Sequence, residues 1–147
     1  MKLAIIICAY NPDERTLCRV ADGLRAQTLA QEAWDLLIVD NGSAKPIADW
    51  LDVSWHRHAR CVVEPEKGIA KARTRGIRES SGDCIVFIDD DTIPDTNYLE
   101  TALRLLSEYP FIGILGGYGR AEFQGVVEPW MDEFRHMYLD YSGSADK

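Results

Sequence analysis

Short apolar runs rich in β-branched residues recur along the chain and alternate with segments whose apolar positions have helical spacing. The runs have the length and the flanking turn residues of buried strands, and they lie at residues 2–9, 35–40, 60–64, 84–88 and 111–115. Helical spacing is found at residues 13–27, 69–77 and 99–106, and a weaker helix is predicted over residues 46–51. This alternation predicts an α/β fold, with a mostly parallel sheet and helices on both of its faces.

Three polar segments directly follow apolar strands of the predicted sheet. They are Tyr10-Asn11-Pro12, Asp40-Asn41-Gly42-Ser43 and Asp89-Asp90-Asp91-Thr92. Right-handed crossovers place the carboxyl ends of parallel strands along one edge of a sheet, and ligands of such folds bind outside that edge. We therefore expect the three segments to contribute to a single site.

Length and charge narrow the classes of function. The 147 residues fit one domain, residues 1–147, that is large enough to bury a core. The net charge of −8 argues against a nucleic-acid binder, because counterion release needs clustered Lys and Arg. No apolar run approaches the ~18 residues of a membrane span. The four cysteines form no CxxC pair, which favours a reduced, cytoplasmic setting without a disulfide framework or a zinc site.

The run of three acids suggests a metal site. Adjacent carboxylates repel one another unless a cation lies between them, and Mg2+ and Mn2+ prefer oxygen ligands. Asp91 is therefore a candidate metal ligand, with Asp89 or Asp90 assisting. If the strand continued through the run, Asp89 and Asp91 would point the same way and Asp90 the opposite way.

Each segment also has an ordinary structural explanation. A solvated acidic turn would account for the three acids, although their place directly after a strand favours a site. Asp40 begins a good turn sequence, and Asn11 stands before Pro12 where a turn or helix cap is common. For each of the two residues, a structural role and a ligand-binding role are equally supported. The basic segment 67–75 is either a solvated helix face or, because Gly68 can open a helix, the N-terminal end that meets an anion.

Four segments, in this order, resemble the nucleotide-binding half of family 2 glycosyltransferases, which have the GT-A fold. They read IIICAYNP, LLIVDNGS, EKGIAKARTRGI and SSGDCIVFIDDDT. The resemblance covers residues 5–92 and extends more weakly to residue 117. It implies a Rossmann-like GT-A fold that is incomplete at its C-terminus, so that the chain is expected to be part of a longer enzyme.

The resemblance also implies roles for individual residues. The expected nucleotide-sugar-binding residues are Ala9, Tyr10, Asn11, Asp40, Gly68, Arg73, Asp89 and Asp90. Asp40 is expected at an exposed strand end, where its carboxylate would accept hydrogen bonds from the base or ribose. Asp91 and Asp89 match the metal-binding acids of the DxD motif, with Mn2+ or Mg2+ as the cofactor. The general base is expected beyond Lys147.

The implied reaction is an inverting, metal-dependent transfer of the hexosyltransferase type. An acceptor hydroxyl, on a glycan or a lipid-linked molecule, would attack the anomeric carbon of a UDP- or GDP-sugar while the nucleoside diphosphate leaves. The expected location is the cytoplasm or, alternatively, the inner face of the membrane as a peripheral protein. A late helix with a face of Trp130, Phe134, Met137 and Tyr138 is expected to be exposed and to support self-association.

Three other classes of function compete with this interpretation. A non-catalytic nucleotide-sugar-binding module would need the same loops but no base. A haloacid-dehalogenase-like phosphotransferase shares an apolar strand that ends in acids, but Ile93 stands where that family needs Thr. A response-regulator receiver carries its acidic pair after the first strand, where this chain has Tyr10 and Asn11.

Overall fold

The architecture comes from a computed structural model, whose description covers residues 1–123, 125–126 and 128–138. The side chains of residues 132 and 135–138 lie outside that description. The chain divides into two compact units, Met1–Pro110 and Phe111–Lys147. The three polar segments predicted to form a site all belong to the first unit.

Four parallel strands form the sheet of the first unit. They are β1 (Leu3–Ala9), β2 (Trp34–Asp40), β3 (Ala59–Val63) and β4 (Cys84–Asp89). Their order is β3-β2-β1-β4, so the order reverses between β1 and β4. The register pairs Ala9 with Asp40 and Cys8 with Asp89, which brings the carboxyl ends of β1, β2 and β4 level. The predicted meeting of these strand ends at one edge is confirmed.

Three α-helices cover the two faces of the sheet: α1 (Glu14–Arg25), α2 (Ile69–Glu79) and α3 (Tyr98–Glu108). One face packs against α1 and α3 in a buried cluster that includes Ile5, Leu17 and Leu99. The opposite face packs against α2 in a cluster that includes Ile6 and Ala72. The prediction of an α/β fold with a parallel sheet and helices on both faces is confirmed.

The predicted strand at residues 111–115 is wrong. This segment has no regular secondary structure, and Phe111 and Ile114 are 83% and 93% exposed. A short apolar run becomes a strand only where a neighbouring strand satisfies its backbone groups. Pro110 directly precedes this segment and Gly113 interrupts it. The weak helix over 46–51 is a single 3-10 turn, Ile47–Asp49.

The late helix of the second unit is a 3-10 helix, Pro129–Tyr138. Trp130 and Phe134 are partly exposed, with ring centroids 6.4 Å apart, whereas the side chains of Met137 and Tyr138 lie outside the description. Self-association through this helix stays a prediction. In the part of the chain that is described, no helix has the length and apolarity needed to cross a membrane.

Candidate functional site

The loop after β1 is hydrogen-bonded to the loop after β2. Asn11 adopts a left-handed backbone conformation with φ of 47°, which asparagine tolerates better than most residues. Its Oδ1 accepts a hydrogen bond from the Ala44 N–H at 2.8 Å, and its N–H donates to Ser43 Oγ at 2.9 Å. The cap of α1 is Asp13, whose carboxylate accepts from the Thr16 N–H. Asn11 therefore joins two site loops rather than capping the helix.

Asp40 is buried, which corrects the expectation of an exposed carboxylate. Asp40 is only 2% exposed. Its Oδ1 accepts a hydrogen bond from the Ser43 N–H at 2.8 Å, and its Oδ2 accepts one from the Ile47 N–H at 3.0 Å. The loop after β2 folds back over the strand end, and the carboxylate satisfies two backbone donors of that loop. The structure thus favours the turn explanation of Asp40 over direct contact with a ligand.

Asn41, within the polar segment that follows β2, makes a set of buried hydrogen bonds that its sequence position alone did not predict. It is 4% exposed, and its N–H donates to the carbonyl of the buried Ala9 at 2.9 Å. Its side-chain amide reaches residues 64–68, which connect β3 to α2. The sequence signal for these hydrogen bonds is an amide side chain directly after a predicted strand, where the polar groups of a buried residue need partners.

Tyr10 and Lys67 form an exposed pair above the ends of the strands. Lys67 Nζ donates a hydrogen bond to Tyr10 Oη at 2.7 Å and lies 4.7 Å from the centroid of the ring. This hydrogen bond and then the charge of Lys67 lower the pKa of the Tyr10 phenol. Tyr10 is 49% exposed, so it offers part of an aromatic surface at the sheet edge. Gly68, the next residue, is the N-cap of α2 with φ of 134°, a conformation that favours glycine.

Arg73 extends from α2 to the end of β4. Its guanidinium lies 5.5 Å from the centroid of the Phe87 ring, and Nη2 lies 3.4 Å from Asp89 Oδ1. Cys8 lies beside them in β1 as the register partner of Asp89. Burial raises the pKa of the Cys8 thiol to about 11, with Asp89 and Asp90 adding to the effect and Arg73 opposing it. A thiol with this pKa is neutral at pH 7.

The acidic run does not continue the strand. β4 ends at Asp89, and Asp90 and Asp91 lie in a turn in which the Thr92 N–H donates to the Asp89 carbonyl at 3.1 Å. The alternation of side chains was expected only if the strand continued through the run, and that condition is not met because strand geometry stops at Asp89. Asp89 and Asp91 are exposed and Asp90 is half-buried.

The electrostatics of the acidic run favour a cation. Burial and then the charge of Asp91 raise the pKa of the Asp90 carboxyl, and the charge of Asp89 adds to the effect. Among the described residues, no group of three His, Cys, Asp or Glu side chains is arranged to hold a metal ion. Two carboxylates with substrate phosphates and water are a usual ligand set for Mg2+, so the donors fit a metal site that a ligand completes.

Two depressions on the surface are lined neither by Arg73 nor by the acidic run. One, of about 420 Å³, runs along α2 and is lined by charged residues that include Lys71 and Arg75. Both cations are already paired, Lys71 with Glu66 and Arg75 with Glu79, each at 2.9 Å. The other, of about 370 Å³, lies at the amino end of the sheet.

Known proteins resemble this chain in sequence and in fold. Residues 4–145 match the family model described as Glycosyl transferase family 2. The chain belongs to this family. Glycosyltransferase AglE of Haloferax volcanii is 29% identical over 147 residues, which cover 95% of this chain and 47% of that protein. The glucosyl-dolichyl phosphate glucuronosyltransferase of the same organism is 27% identical over 125 residues, covering 80% of this chain and 38% of that protein. The chain thus spans about half the length, or less, of these relatives.

Solved structures show that the fold is that of GT-A glycosyltransferases. S. aureus TarS 1–349 in complex with UDP-GlcNAc has a TM-score of 0.66 at 19% identity, over 75% of this chain and 32% of that one. The mannosyltransferase PcManGT from Pyrobaculum calidifontis, in complex with GDP-Man and Mn2+, has a TM-score of 0.65 at 21% identity, over 72% of this chain and 32% of that one. The expected family and fold are confirmed.

Proposed function

We propose that this family 2 chain binds a nucleotide-diphosphate sugar of the UDP or GDP type at the carboxyl edge of the sheet. The observation that carries the proposal is the placement of Arg73 against Asp89 at the end of β4. A cation from a helix and a run of carboxylates are thereby side by side. A diphosphate with a divalent metal needs both, because the phosphates attract the guanidinium and the metal attracts the acids.

The exposed ring of Tyr10 and the neighbouring loops would hold the nucleoside. Tyr10 presents a partly exposed aromatic face, and Lys67 adds a positive charge beside it. Asn11 and Asp40 would contribute to nucleoside binding indirectly, because their side chains hydrogen-bond the loops beside Tyr10. The N-terminal end of α2 at Gly68 favours a negative group nearby.

Asp91 and Asp89 would hold Mn2+ or Mg2+, and Asp90 would contribute its charge or contact the ribose. When bound, the metal neutralises charge on the departing diphosphate. Arg73 does the same from the opposite element, since its guanidinium already lies within 3.4 Å of Asp89. Burial and then the charges of Asp91 and Asp89 raise the pKa of Asp90, and such a cation would offset these effects.

The proposed reaction is inverting transfer of a hexose to a hydroxyl of a glycan or lipid-linked acceptor. It requires a base that removes the acceptor proton on the side opposite the leaving diphosphate. No described residue is assigned that role, and the resemblance implies a base beyond Lys147. We accordingly expect the 147-residue chain alone to bind the donor but to turn over well below about 1 s⁻¹.

Calorimetry with UDP and GDP, each with Mn2+ and each after chelation, tests the donor and metal assignments. We expect binding that requires the metal, that weakens in Asp91→Asn and Arg73→Met, and that is unchanged in Asp52→Asn. Asp52 is an exposed carboxylate that accepts a hydrogen bond from the Ser54 N–H in its own turn. Equal affinity after chelation would contradict the metal assignment, and no affinity for either nucleotide would contradict the proposed donor site.

An assay with a panel of UDP- and GDP-sugars and simple glycoside acceptors tests the reaction itself. Turnover by the 147-residue chain at about 1 s⁻¹ or more would show that a base is present within it. Donor binding without hydrolysis or transfer in a longer protein that includes the chain would favour the non-catalytic binding module instead.

A further inference from the structure

Asn41 connects three of the segments that surround the proposed donor site. Its backbone N–H donates to the Ala9 carbonyl at the end of β1, at 2.9 Å. Its Nδ2 donates to the carbonyls of Glu64 and Glu66, at 3.0 and 2.8 Å, in the segment that follows β3. Its Oδ1 accepts from the Gly68 N–H at 2.8 Å, where α2 begins. A residue that is 96% buried thus uses both amide hydrogens and its oxygen within the protein.

These hydrogen bonds hold the residues that face the site without placing Asn41 in contact with it. Gly68 is the N-cap of α2, and Lys67 before it is bonded to Tyr10. Arg73 lies one and a half turns further along the same helix. The position of α2 relative to β1 therefore determines where Lys67 and Arg73 stand, and Asn41 is a direct link between the two elements.

We propose that Asn41 is a positioning residue for the nucleotide: it sets the start of α2 and the Tyr10–Lys67 pair in the arrangement that binds the donor. This inference rests on the proposed function. Aspartate cannot replace the amide, because its second oxygen would face the carbonyls of Glu64 and Glu66 at hydrogen-bond distance without a proton to donate. Serine is too short to span from the end of β2 to both carbonyls and to Gly68.

Gln27 offers a matched control elsewhere in the fold. Its Nε2 donates to the carbonyls of Gly23 and Asp95, at 3.0 and 2.7 Å, and its Oε1 accepts from the Leu99 N–H at 2.9 Å. The chemistry is the same as that of the Asn41 side chain: two carbonyls and the first turn of a helix. Gln27 follows the end of α1, whose twelve residues extend about 18 Å from the loop after β1. Gln27→Glu therefore breaks an equivalent set of hydrogen bonds at Gly23, Asp95 and Leu99 rather than at residues 64–68.

The test compares Asn41→Asp, Asn41→Ser and Gln27→Glu by three measurements on the 147-residue chain. These are the melting temperature, the affinity for UDP and GDP with Mn2+, and amide hydrogen exchange over residues 64–72. We expect all three variants to melt at lower temperature. Only the Asn41 variants should lose nucleotide affinity, by about tenfold or more, and only they should exchange faster at residues 64–72.

Several outcomes would overturn the inference. Folded Asn41→Ser with the affinity of the unsubstituted chain would do so, as would an equal loss of affinity in Gln27→Glu, because general stability would then explain the effect. Failure of both Asn41 variants to fold where Gln27→Glu folds would assign Asn41 to folding alone. If the unsubstituted chain bound neither nucleotide, the proposed donor site would fail, whereas unchanged exchange at residues 64–72 would by itself refute the positioning role.

Discussion

The Arg73 guanidinium lies over the ring of Phe87 and places Nη2 3.4 Å from Asp89 Oδ1, which couples α2 to the acidic end of β4. Both side chains are about half exposed or more, so the ion pair itself adds little to stability. Its importance is electrostatic: the same carboxylate that neutralises Arg73 is a candidate metal ligand. Under the proposed metal assignment, a divalent cation and Arg73 would compete for Asp89 until a diphosphate is present to bind both.

This competition predicts opposite effects of one substitution. In Arg73→Met, Mn2+ alone should bind more tightly than to the unsubstituted chain, because a positive charge near Asp89 is removed. UDP or GDP in the presence of Mn2+ should bind more weakly, because the diphosphate loses a charge-assisted hydrogen bond. Titration of Mn2+ followed by titration of nucleotide separates the two effects.

Lys71→Met serves as the control for the Arg73 experiment, since Lys71 is on the same helix but is paired with Glu66 rather than with the acidic run. It should leave both affinities nearly unchanged. If Lys71→Met changed them as much as Arg73→Met, the general charge of α2 and not the contact with Asp89 would be responsible.

Asp40 should be a stability residue. Replacing it by alanine leaves the N–H groups of the partly buried Ser43 and the buried Ile47 without their carboxylate acceptor. We expect Asp40→Ala to lower the free energy of unfolding by about 2–3 kcal/mol, measured by urea denaturation. Asp52→Ala, which removes a similar turn hydrogen bond at an exposed position, should cost clearly less. A stable Asp40→Ala protein with lost nucleotide affinity would return Asp40 to the set of ligand-binding residues.

The elements were predictable from sequence because their signal is local. The apolar run of β1 indicates a buried strand, and the helical spacing of Leu17, Val20 and Leu24 indicates a helix with one buried face. The gathering of the three polar segments at one edge followed from parallel topology alone. The strand expected at residues 111–115 fails for the same reason that the others succeed: a local pattern cannot show whether a partner strand is present.

The inside of the site was not predictable in the same way. Asn41 finds its partners in residues 64–68, more than twenty positions away, and the choice depends on how the loop after β3 returns to β2. Asp40 has near partners, at Ser43 and Ile47, but only the path of the loop decides whether a carboxylate turns inward or towards solvent. The pairing of Arg73 with Asp89 likewise depends on where α2 crosses the sheet.

Gly76 lies at a close contact between α2 and β1. A Cβ at this position would lie 2.6 Å from Cγ2 of Ile6, a buried and β-branched side chain with little room to move. We expect Gly76→Ala to lower the free energy of unfolding by about 1–3 kcal/mol, although alanine is the better helix former. Chemical denaturation measures the change.

A double-mutant cycle tests whether that contact is the cause. Ile6→Ala removes Cγ2, so Gly76→Ala should cost less in the Ile6→Ala chain than in the unsubstituted one. Gly113→Ala, at a position where a Cβ would meet nothing within 4 Å, should have little effect. An equal cost of Gly76→Ala in both backgrounds would show that overpacking against Ile6 is not responsible.

His56 is a buried imidazole that should make stability depend on pH. It is 2% exposed, and its ring centroid is 4.1 Å from that of Trp34. Its Nδ1 accepts a hydrogen bond from the His58 N–H at 3.2 Å, so the neutral ring carries its proton on Nε2. Protonation of Nδ1 would place a proton where the His58 N–H already points, and this hydrogen bond would be lost.

Burial lowers the pKa of His56 and the charge of His58 lowers it further, whereas Asp35 raises it, Lys2 lowers it and Glu32 raises it. Since the pKa in the unfolded chain is about 6.5 and the folded value is lower, the unfolded chain binds more protons between the two values. The stability that comes from keeping His56 neutral is therefore complete above about pH 6.5 and is lost as the pH falls below it.

The variant His56→Asn tests this, because asparagine keeps an acceptor for the His58 N–H but does not titrate. The melting temperatures of the unsubstituted chain and of His56→Asn should converge as the pH falls from about 7 to about 5. His58→Asn, which removes the exposed imidazole, should retain most of the pH dependence. Parallel curves for the unsubstituted chain and His56→Asn would show that protonation of other groups, and not of His56, sets the acid limit of stability.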